Sequence, residues 1–328
     1  MNGRLNLKKF NGVFLITGAA GFMGSHLCER LVKSNFEVYA LDNLSTGKAE
    51  NIAHLTANEN FHFIKEDLLN MNKFKNVIDE CDIVFHFAAN PEVRAALTNS
   101  CIDFEQNLRA TYMLLEAMRK SNQAKIMVFA STSTVYGEAK VLPTPEDYAP
   151  LKPISLYGAT KLGCEALIAS YTHTFGLKGL VFRFANIVGP RLRHGVIYDF
   201  ILKLKANPKK LEILGDGTQA KSYLHIDDCI DGVFMAMENF DEDFEVYNVG
   251  GEDQVNVKTI AKIVAEEMGL KNVEFKFLSG PEGRGWLGDV KVMLLDCRKL
   301  KALGWAPKYS GVEAVRLAAR QLIKELCL

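Results

Sequence analysis

Tyr157 and Lys161 stand four residues apart within Leu156–Phe175, a stretch of helical periodicity, so both project from one face of a helix. That spacing has a chemical use. An ammonium beside a phenol stabilises the phenolate and draws its pKa from about 10 toward neutrality, which makes a general base for a hydroxyl group. Upstream, Ser131-Thr132-Ser133-Thr134-Val135-Tyr136-Gly137 follows a short apolar run. Such a segment puts hydroxyls at the carboxyl edge of a sheet, where α/β folds bind ligands, and Thr132 is placed to share the proton of a substrate hydroxyl. Each piece alone has an ordinary reading. A Tyr-x-x-x-Lys pair is usually just an amphipathic face, and a Ser/Thr run after a strand is most often a turn or a helix cap.

Their order behind a second feature reverses that judgement. Val13 to Ile16 run into Thr17-Gly18-Ala19-Ala20-Gly21-Phe22-Met23-Gly24, with glycines three apart. Gly18 permits a tight turn off a strand, Gly21 lets backbone N–H groups approach a pyrophosphate, and Gly24 lets the next helix pack close to the strand. The helix N-terminus beyond them favours an anion. Phe36 to Leu41 reads as the following strand and ends at Asp42, eighteen residues after Gly24. A carboxylate there accepts hydrogen bonds from both adenosine ribose hydroxyls and repels a 2′-phosphate, which favours NAD over NADP.

These residues need a scaffold, and 328 residues with 48% hydrophobic and 24% charged side chains supply a large soluble core. Lys+Arg and Asp+Glu both number 39, so charge gives no sign of a nucleic-acid partner. No apolar stretch is long enough to span a bilayer. Arg4, Lys8 and Lys9 before an apolar run have the outward form of a signal peptide, but the glycine loop occupies that run. The seven cysteines are odd in number, scattered and never spaced Cys-x-x-Cys, which argues against a disulfide frame or zinc site and for a reducing cytoplasm. The histidines form no ligand pair at helical spacing, so no metal is expected.

Short apolar runs at Phe61–Lys65, Ile83–Phe87, Ile126–Ala130 and Leu180–Phe184 alternate with helical stretches such as Asn107–Lys120. Alternation of this kind predicts βαβ units and a Rossmann-like, doubly wound parallel sheet of the α/β class. After Gly189-Pro190 the elements shorten: a helix near Val196–Ala206, a strand at Leu211–Leu214, a helix over Ile226–Asn239 and a strand at Glu245–Asn248. The reading is a dinucleotide domain over 1–188, rejoined by about 222–250, and a smaller α/β substrate lobe over 189–328.

At this point the chain resembles the extended short-chain dehydrogenase/reductases that act on nucleotide sugars, and is most similar to UDP-glucose 4-epimerases, from about Val13 to Pro307. The resemblance is carried by Thr17 to Gly24, Asp42-Asn43-Leu44-Ser45-Thr46-Gly47, Glu66-Asp67-Leu68, His86-Phe87-Ala88-Ala89, Asn107, Ser131 to Gly137, Tyr157 to Lys161 and Arg183 to Arg191. It implies cofactor contacts from Gly18, Gly21, Phe22, Met23, Gly24, Asp42, Asn43, Ser45, Thr46 and Gly47. Asp67 and Leu68 would meet adenine, Phe87, Ala88 and Ala89 would line the cofactor, and Asn107 would orient the catalytic helix. Thr132, Tyr157 and Lys161 would form the catalytic set, with Lys161 also bonding the nicotinamide ribose. Asn186 would hold the substrate diphosphate. In the second lobe, Ile213 and Leu214 would offer apolar surface to uracil, and Lys221, Arg284 and Asp289 would serve the uridine and diphosphate. Lys221 stands where better-known members have Arg, and the Arg284–Asp289 segment is two residues longer than theirs. A homodimer joined through the two long helices is also implied.

The fold serves epimerases, 4,6-dehydratases and decarboxylases alike. In the dehydratases the catalytic threonine is followed by Asp and Glu, and UDP-glucuronate decarboxylases resemble Thr-Ser-Glu there; this chain has Ser133 and Thr134. Hydroxyls replace carboxyls poorly as acids or bases near neutral pH, so epimerisation is expected. A C4 dehydrogenase and a non-catalytic NAD-binding protein are the alternatives. Met293, four residues after Asp289, borders the C2 side of the hexose by the same resemblance. Its flexible chain would admit an N-acetyl group that a tyrosine ring would exclude, although the run Val292-Met293-Leu294-Leu295 also reads as plain core.

Overall fold

A computed structural model describes residues 12–278 and 280–327, so Arg4, Lys8 and Lys9 lie outside the described residues. The strands are β1 Val13–Thr17, β2 Glu37–Asp42, β3 Phe61–Lys65, β4 Ile83–His86, β5 Ile126–Thr132, β6 Lys178–Phe184, β7 Asn186–Val188, β8 Lys210–Leu214, β9 Ala220–Lys221, β10 Tyr223–His225, β11 Phe244–Val249, β12 Val255–Asn256, β13 Glu274–Leu278 and β14 Val292–Met293. The helices are α1 Phe22–Lys33, α2 Lys75–Ile78, α3 Cys101–Asp103, α4 Ala110–Lys120, α5 Leu156–Phe175, α6 Gly195–Ala206, α7 Ile226–Glu238, α8 Val257–Glu267, α9 Arg298–Lys301 and α10 Gly311–Glu325.

Seven strands form one sheet in the order β11-β6-β5-β4-β1-β2-β3. The pairs β1–β2, β1–β4, β2–β3 and β4–β5 are parallel. The reversal of direction about β1 is the switch point of a doubly wound α/β sheet, where the fold places its ligands. Thr17 lies opposite both Leu41 and His86, and His86 opposite Phe129, so one sheet edge carries the segments that follow all four strands. Leu15, Val84, Met127 and Phe129 of the sheet pack with Leu114, Leu115 and Met118 of α4 and with Cys164 and Ile168 of α5 in one buried cluster. The strand expected at Glu245–Asn248 is β11, at the far edge of this sheet.

The chain divides into two compact units. The first contains residues up to 132, 156–183 and 233–247; the second contains 133–155, 184–232 and 248 onward. Residues 133–155, which the sequence reading kept in the first lobe, group with the second unit. Tyr136 Oη donates to Asn248 Oδ1 at 2.8 Å, and the Thr144 N–H donates to the Leu294 carbonyl at 2.9 Å. Within the second unit, β7 pairs with β10 and β8 with β13, while β9 lies between β12 and β14. Its last helix, α10, opens on a capping box: the Ser310 hydroxyl accepts from the Glu313 N–H, and the Glu313 carboxylate accepts from the Ser310 N–H.

Helix α1 starts from Gly21 with no side-chain cap and no acid in its first turn, and buries Leu27, Cys28, Leu31 and Val32. A Cβ at Gly24 would stand 2.1 Å from the Gly18 carbonyl oxygen, so that helix meets its loop at a distance only glycine allows. Gly24→Ala should therefore lower the free energy of unfolding by about 1–3 kcal/mol, as overpacking does elsewhere, measured by urea denaturation. An unchanged midpoint would show that the loop gives way freely.

Candidate active site

The glycine loop occupies the turn between β1 and α1, with Gly18 at φ +71° and Phe22 and Met23 half-buried in the first turn of the helix. Asp42, the last residue of β2, is buried, and each carboxylate oxygen takes one backbone donor: Leu44 N–H on Oδ1 at 2.7 Å and Ala20 N–H on Oδ2 at 2.9 Å. A carboxylate has about four lone-pair sites, so acceptor capacity remains on both oxygens. A Cβ at Gly47 would lie 2.8 Å from both of those oxygens, so glycine keeps that space open. Burial pushes the Asp42 carboxyl above its ordinary value, while the two backbone donors oppose the shift. An uncapped helix start beside a recessed carboxylate fits the pyrophosphate and ribose diol of a dinucleotide.

The flanking residues support that cradle. Asn43 Nδ2 donates to Asp67 Oδ2 at 2.7 Å, while Asp67 Oδ1 accepts from the Leu69 N–H and caps the short helical turn that follows. Leu68 is buried, and Ser45 and Thr46 are exposed. Phe87, Ala88 and Ala89 leave β4 half-buried beside the loop, and the Ala88 N–H donates to Thr17 Oγ1 at 3.2 Å.

Thr132 ends β5, nine-tenths buried, and Tyr157 and Lys161 occupy the first turns of α5. Lys161 is almost wholly buried; its ammonium donates to the Ala130 carbonyl at 2.8 Å and lies 4.7 Å from the Phe129 ring centroid and 5.9 Å from that of Tyr157. Burial pushes Lys161 down to about 8, against the pull of Cys164, Asp103 and Glu165. The Tyr157 hydroxyl is pushed well above its ordinary range, by burial first, by Asp103 next, and by Cys164 where its thiol ionises. This corrects the expectation that the Lys161 ammonium draws the phenol pKa toward neutrality. Desolvation outweighs the neighbouring ammonium, whose hydrogen bond goes to a backbone carbonyl.

Asn107 was expected to orient the catalytic helix, whereas the local geometry that holds it, and Glu165 further along α5, escaped the sequence reading. Asn107 lies in a π-helical turn, Phe104–Arg109, where helical periodicity predicted regular helix. Its Oδ1 accepts from the Asn90 N–H at 2.9 Å, and its Nδ2 donates to Thr160 Oγ1 on α5 at 3.2 Å, a geometry suited to orienting that helix. Glu165, one turn beyond Lys161, accepts from the Ser131 hydroxyl and pairs with Arg183 of β6, Nη2 to Oε2 at 2.7 Å and Nε to Oε1 at 3.1 Å. Its place four residues after Lys161 on the same face was the available signal.

A chain of hydrogen bonds also joins the glycine loop to α5. The Thr111 hydroxyl donates its one proton to the Asn107 carbonyl at 2.6 Å. His86 Nε2, 2.9 Å from Thr111 Oγ1, must then be the donor, which leaves Nδ1 to accept from the Thr17 hydroxyl at 2.8 Å. Burial pulls the His86 pKa down to about 3, which keeps the imidazole neutral and so makes Nδ1 the acceptor.

In the second unit, Asn186 uses both its backbone and side-chain N–H groups on the Ser222 carbonyl. Ile213 is fully buried, because alternation along β8 turns Leu211 and Ile213 inward, so its side chain offers no surface to a base; Leu214 is half-buried. Lys221 and Arg284 each already hold an acid. Lys221 Nζ lies 2.7 Å from Asp289 Oδ1, and Arg284 lies 2.5 Å from Glu138 and 3.1 Å from Glu282. Met293 is buried in β14, in register with Lys221.

The model of the NAD dependent epimerase/dehydratase family matches residues 14–250, a span that takes in the glycine loop, Asp42, Thr132, Tyr157 and Lys161. The chain belongs to that family. Among family members of known structure, a UDP-galactose 4-epimerase is 44% identical, with a TM-score of 0.85 over 96% of this chain and 99% of its own. The UDP-glucuronic acid 4-epimerase of Bacillus cereus, solved with UDP-glucuronic acid and NAD, is 34% identical, with a TM-score of 0.86 over 96% of this chain and 99% of its own. The UDP-glucuronate 4-epimerase of Thermodesulfobacterium geofontis is 33% identical over 93% of this chain and 94% of its own. Among the described residues, no group of three or more His, Cys, Asp or Glu is arranged to hold a metal, and no helix is long and apolar enough to cross a membrane.

The His86 relay has a measurable sign. A histidine whose folded pKa falls from 6.5 to about 3 adds stability that is complete above 6.5 and is lost as pH drops toward 3. His86→Asn, which keeps one acceptor and one donor without the titration, should flatten the loss of stability across that window in urea denaturation at a series of pH values. Parallel curves for the two proteins would exclude His86 as a source of acid sensitivity.

Proposed function

We propose that this chain is an NAD-dependent UDP-sugar 4-epimerase that interconverts UDP-glucose and UDP-galactose, and their N-acetyl forms as a second pair. One observation carries the reading: Thr132 ends β5 and Tyr157 and Lys161 open α5, all in the first unit, and the residues after Thr132 are Ser133 and Thr134 rather than the carboxyls an elimination needs. NAD, held by the glycine loop and Asp42, supplies a hydride acceptor and donor at C4 of the sugar. Tyr157 takes the proton of the 4′-hydroxyl, with Thr132 sharing it, and later returns it to the C4 oxygen once the 4-keto sugar has turned about its diphosphate to present its opposite face. Lys161 bonds the nicotinamide ribose and carries the positive charge nearest the phenolate. Because the hydride and the proton both return, there is no net redox change.

The second unit is the nucleotide-sugar lobe in this reading. Lys221 and Arg284 would meet the diphosphate by exchanging Asp289, Glu138 and Glu282 for phosphate oxygens, and Asn186 would do so by releasing Ser222. The first unit would assemble as a homodimer through α4 and α5, a reading supported by the exposed apolar side chains of Phe104, Tyr112, Leu156 and Phe175 on and beside those helices. Seven free cysteines support a reducing, cytoplasmic setting.

Incubation of the purified protein with a panel of UDP-sugars, with products identified by NMR, should give C4 epimers and no dehydrated or decarboxylated sugar. Tyr157→Phe should keep the fold and cut turnover by at least about a hundredfold. Near-normal turnover in that variant would show the base to be another group.

Met293 sets the second expectation. Met293→Tyr should suppress conversion of UDP-GlcNAc and UDP-GalNAc while sparing the non-acetylated pair, read as the ratio of the two kcat/KM values. An equal effect on both pairs, or a wild type inactive on the acetylated pair, would remove Met293 from the pocket.

A further inference from the structure

Asp103 is an acid that burial penalises, yet it sits fully buried at the end of α3, against the catalytic helix. Its two oxygens are treated differently. Oδ1 accepts from Asn90 Nδ2 at 2.8 Å and from Asn107 Nδ2 at 3.4 Å. Oδ2 is equally buried and accepts from no group among the described residues. The Asn107 amide that holds Oδ1 also donates to Thr160, so one side chain links this carboxylate to the turn of α5 between Tyr157 and Lys161. A buried oxygen left without a partner calls for an explanation.

The surrounding charges supply one. Glu165 of α5 and Arg183 of β6 neutralise each other as a two-pronged pair. His86 of β4 is neutral, the Cys164 thiol is raised by burial and so uncharged, and Glu105 and Arg109 pair at the exposed side of the π turn. What remains around Tyr157 among the described residues is one cation, Lys161, and one anion, Asp103. With Tyr157 as the phenol the cluster is balanced; ionising it leaves one uncompensated negative charge in a dry place.

We propose that Asp103 is a positioning residue which, fixed by Asn90 and Asn107, offsets the Lys161 charge and keeps the proton on Tyr157, thereby setting the acid limb of the rate profile. Burial raises the Asp103 carboxyl above its ordinary value, while the two amide donors on Oδ1 and the Lys161 charge oppose that shift and favour its ionised form. The electrostatics run the same way, since the Asp103 charge raises both the Tyr157 hydroxyl and the Lys161 ammonium. This inference rests on Tyr157 being the base proposed above.

Asp103→Asn retains the shape and the Oδ1 acceptor while removing the charge. It should move the acid limb of the kcat/KM profile down by about one to two pH units, as loss of a neighbouring like charge does. The ultraviolet tyrosinate signal that disappears in Tyr157→Phe should titrate lower by the same amount, with or without substrate. If the Asn variant fails to fold, Asp103→Ser, smaller and also neutral, should show the same shift. A limb and a tyrosinate titration that both stay in place, with only turnover or thermal stability reduced, would make Asp103 a structural strut and overturn the proposal. Full activity in Tyr157→Phe would instead overturn the base assignment, and the tyrosinate titration would still report whether the Asp103 charge reaches Tyr157.

Discussion

The first unit is organised around the cost of burying one ammonium. Lys161 lies between α5 and the sheet, where water cannot solvate it, and a charge in such a place survives only with dedicated partners. The Ala130 carbonyl supplies a hydrogen bond, the Phe129 ring a negative face, and Asp103 and Glu165 opposite charge. Glu165 then needs its own cation, which Arg183 provides from the next strand, and the Ser131 hydroxyl completes its shell. One lysine on a helix face thus dictates polar residues on β5, β6, α3 and α5.

Position matters as much as charge in this arrangement. The glycine loop and the catalytic helix approach the same sheet edge from different strands, and their registration depends on groups between them. Thr17, His86, Thr111 and Asn107 bridge that interval with hydrogen bonds whose direction follows from the single proton of Thr111 and the neutral imidazole of His86. The π turn at Phe104–Arg109 contributes by carrying Asn107 beneath Thr160. Turns of this type recur at functional sites because they turn a side chain out of the helical register.

The fold was legible because its signals are local. Apolar runs between amphipathic stretches located all seven strands of the main sheet to within two residues, and α5 begins and ends where its periodicity does. The cofactor loop was readable for the same reason, since glycine spacing and the carboxylate at the end of β2 are fixed along the chain. What stayed hidden depends on tertiary proximity. Nothing in the spacing of Glu165 and Arg183 announces their pairing, and no periodicity reveals a single π turn. The Tyr157 environment was misjudged because desolvation is a property of the packed site, whereas the benefit of a nearby lysine can be inferred from sequence. Ile213 was misjudged because an apolar residue near a binding loop reads alike whether it faces the ligand or the core.

The interleaving of the two units along the chain has a consequence for biosynthesis. The chain changes unit after residues 132, 155, 183, 232 and 247, so the first unit acquires its last sheet strand only when residue 247 has been made. A nascent chain that has already exposed β1 to β6 must hold an unpaired sheet edge at β6 until β11 arrives. Domains encoded as one uninterrupted segment fold as they leave the ribosome; here completion of the cofactor-binding unit is deferred until most of the polypeptide has been translated. Protection of that open edge during synthesis is therefore a demand written into the order of the gene.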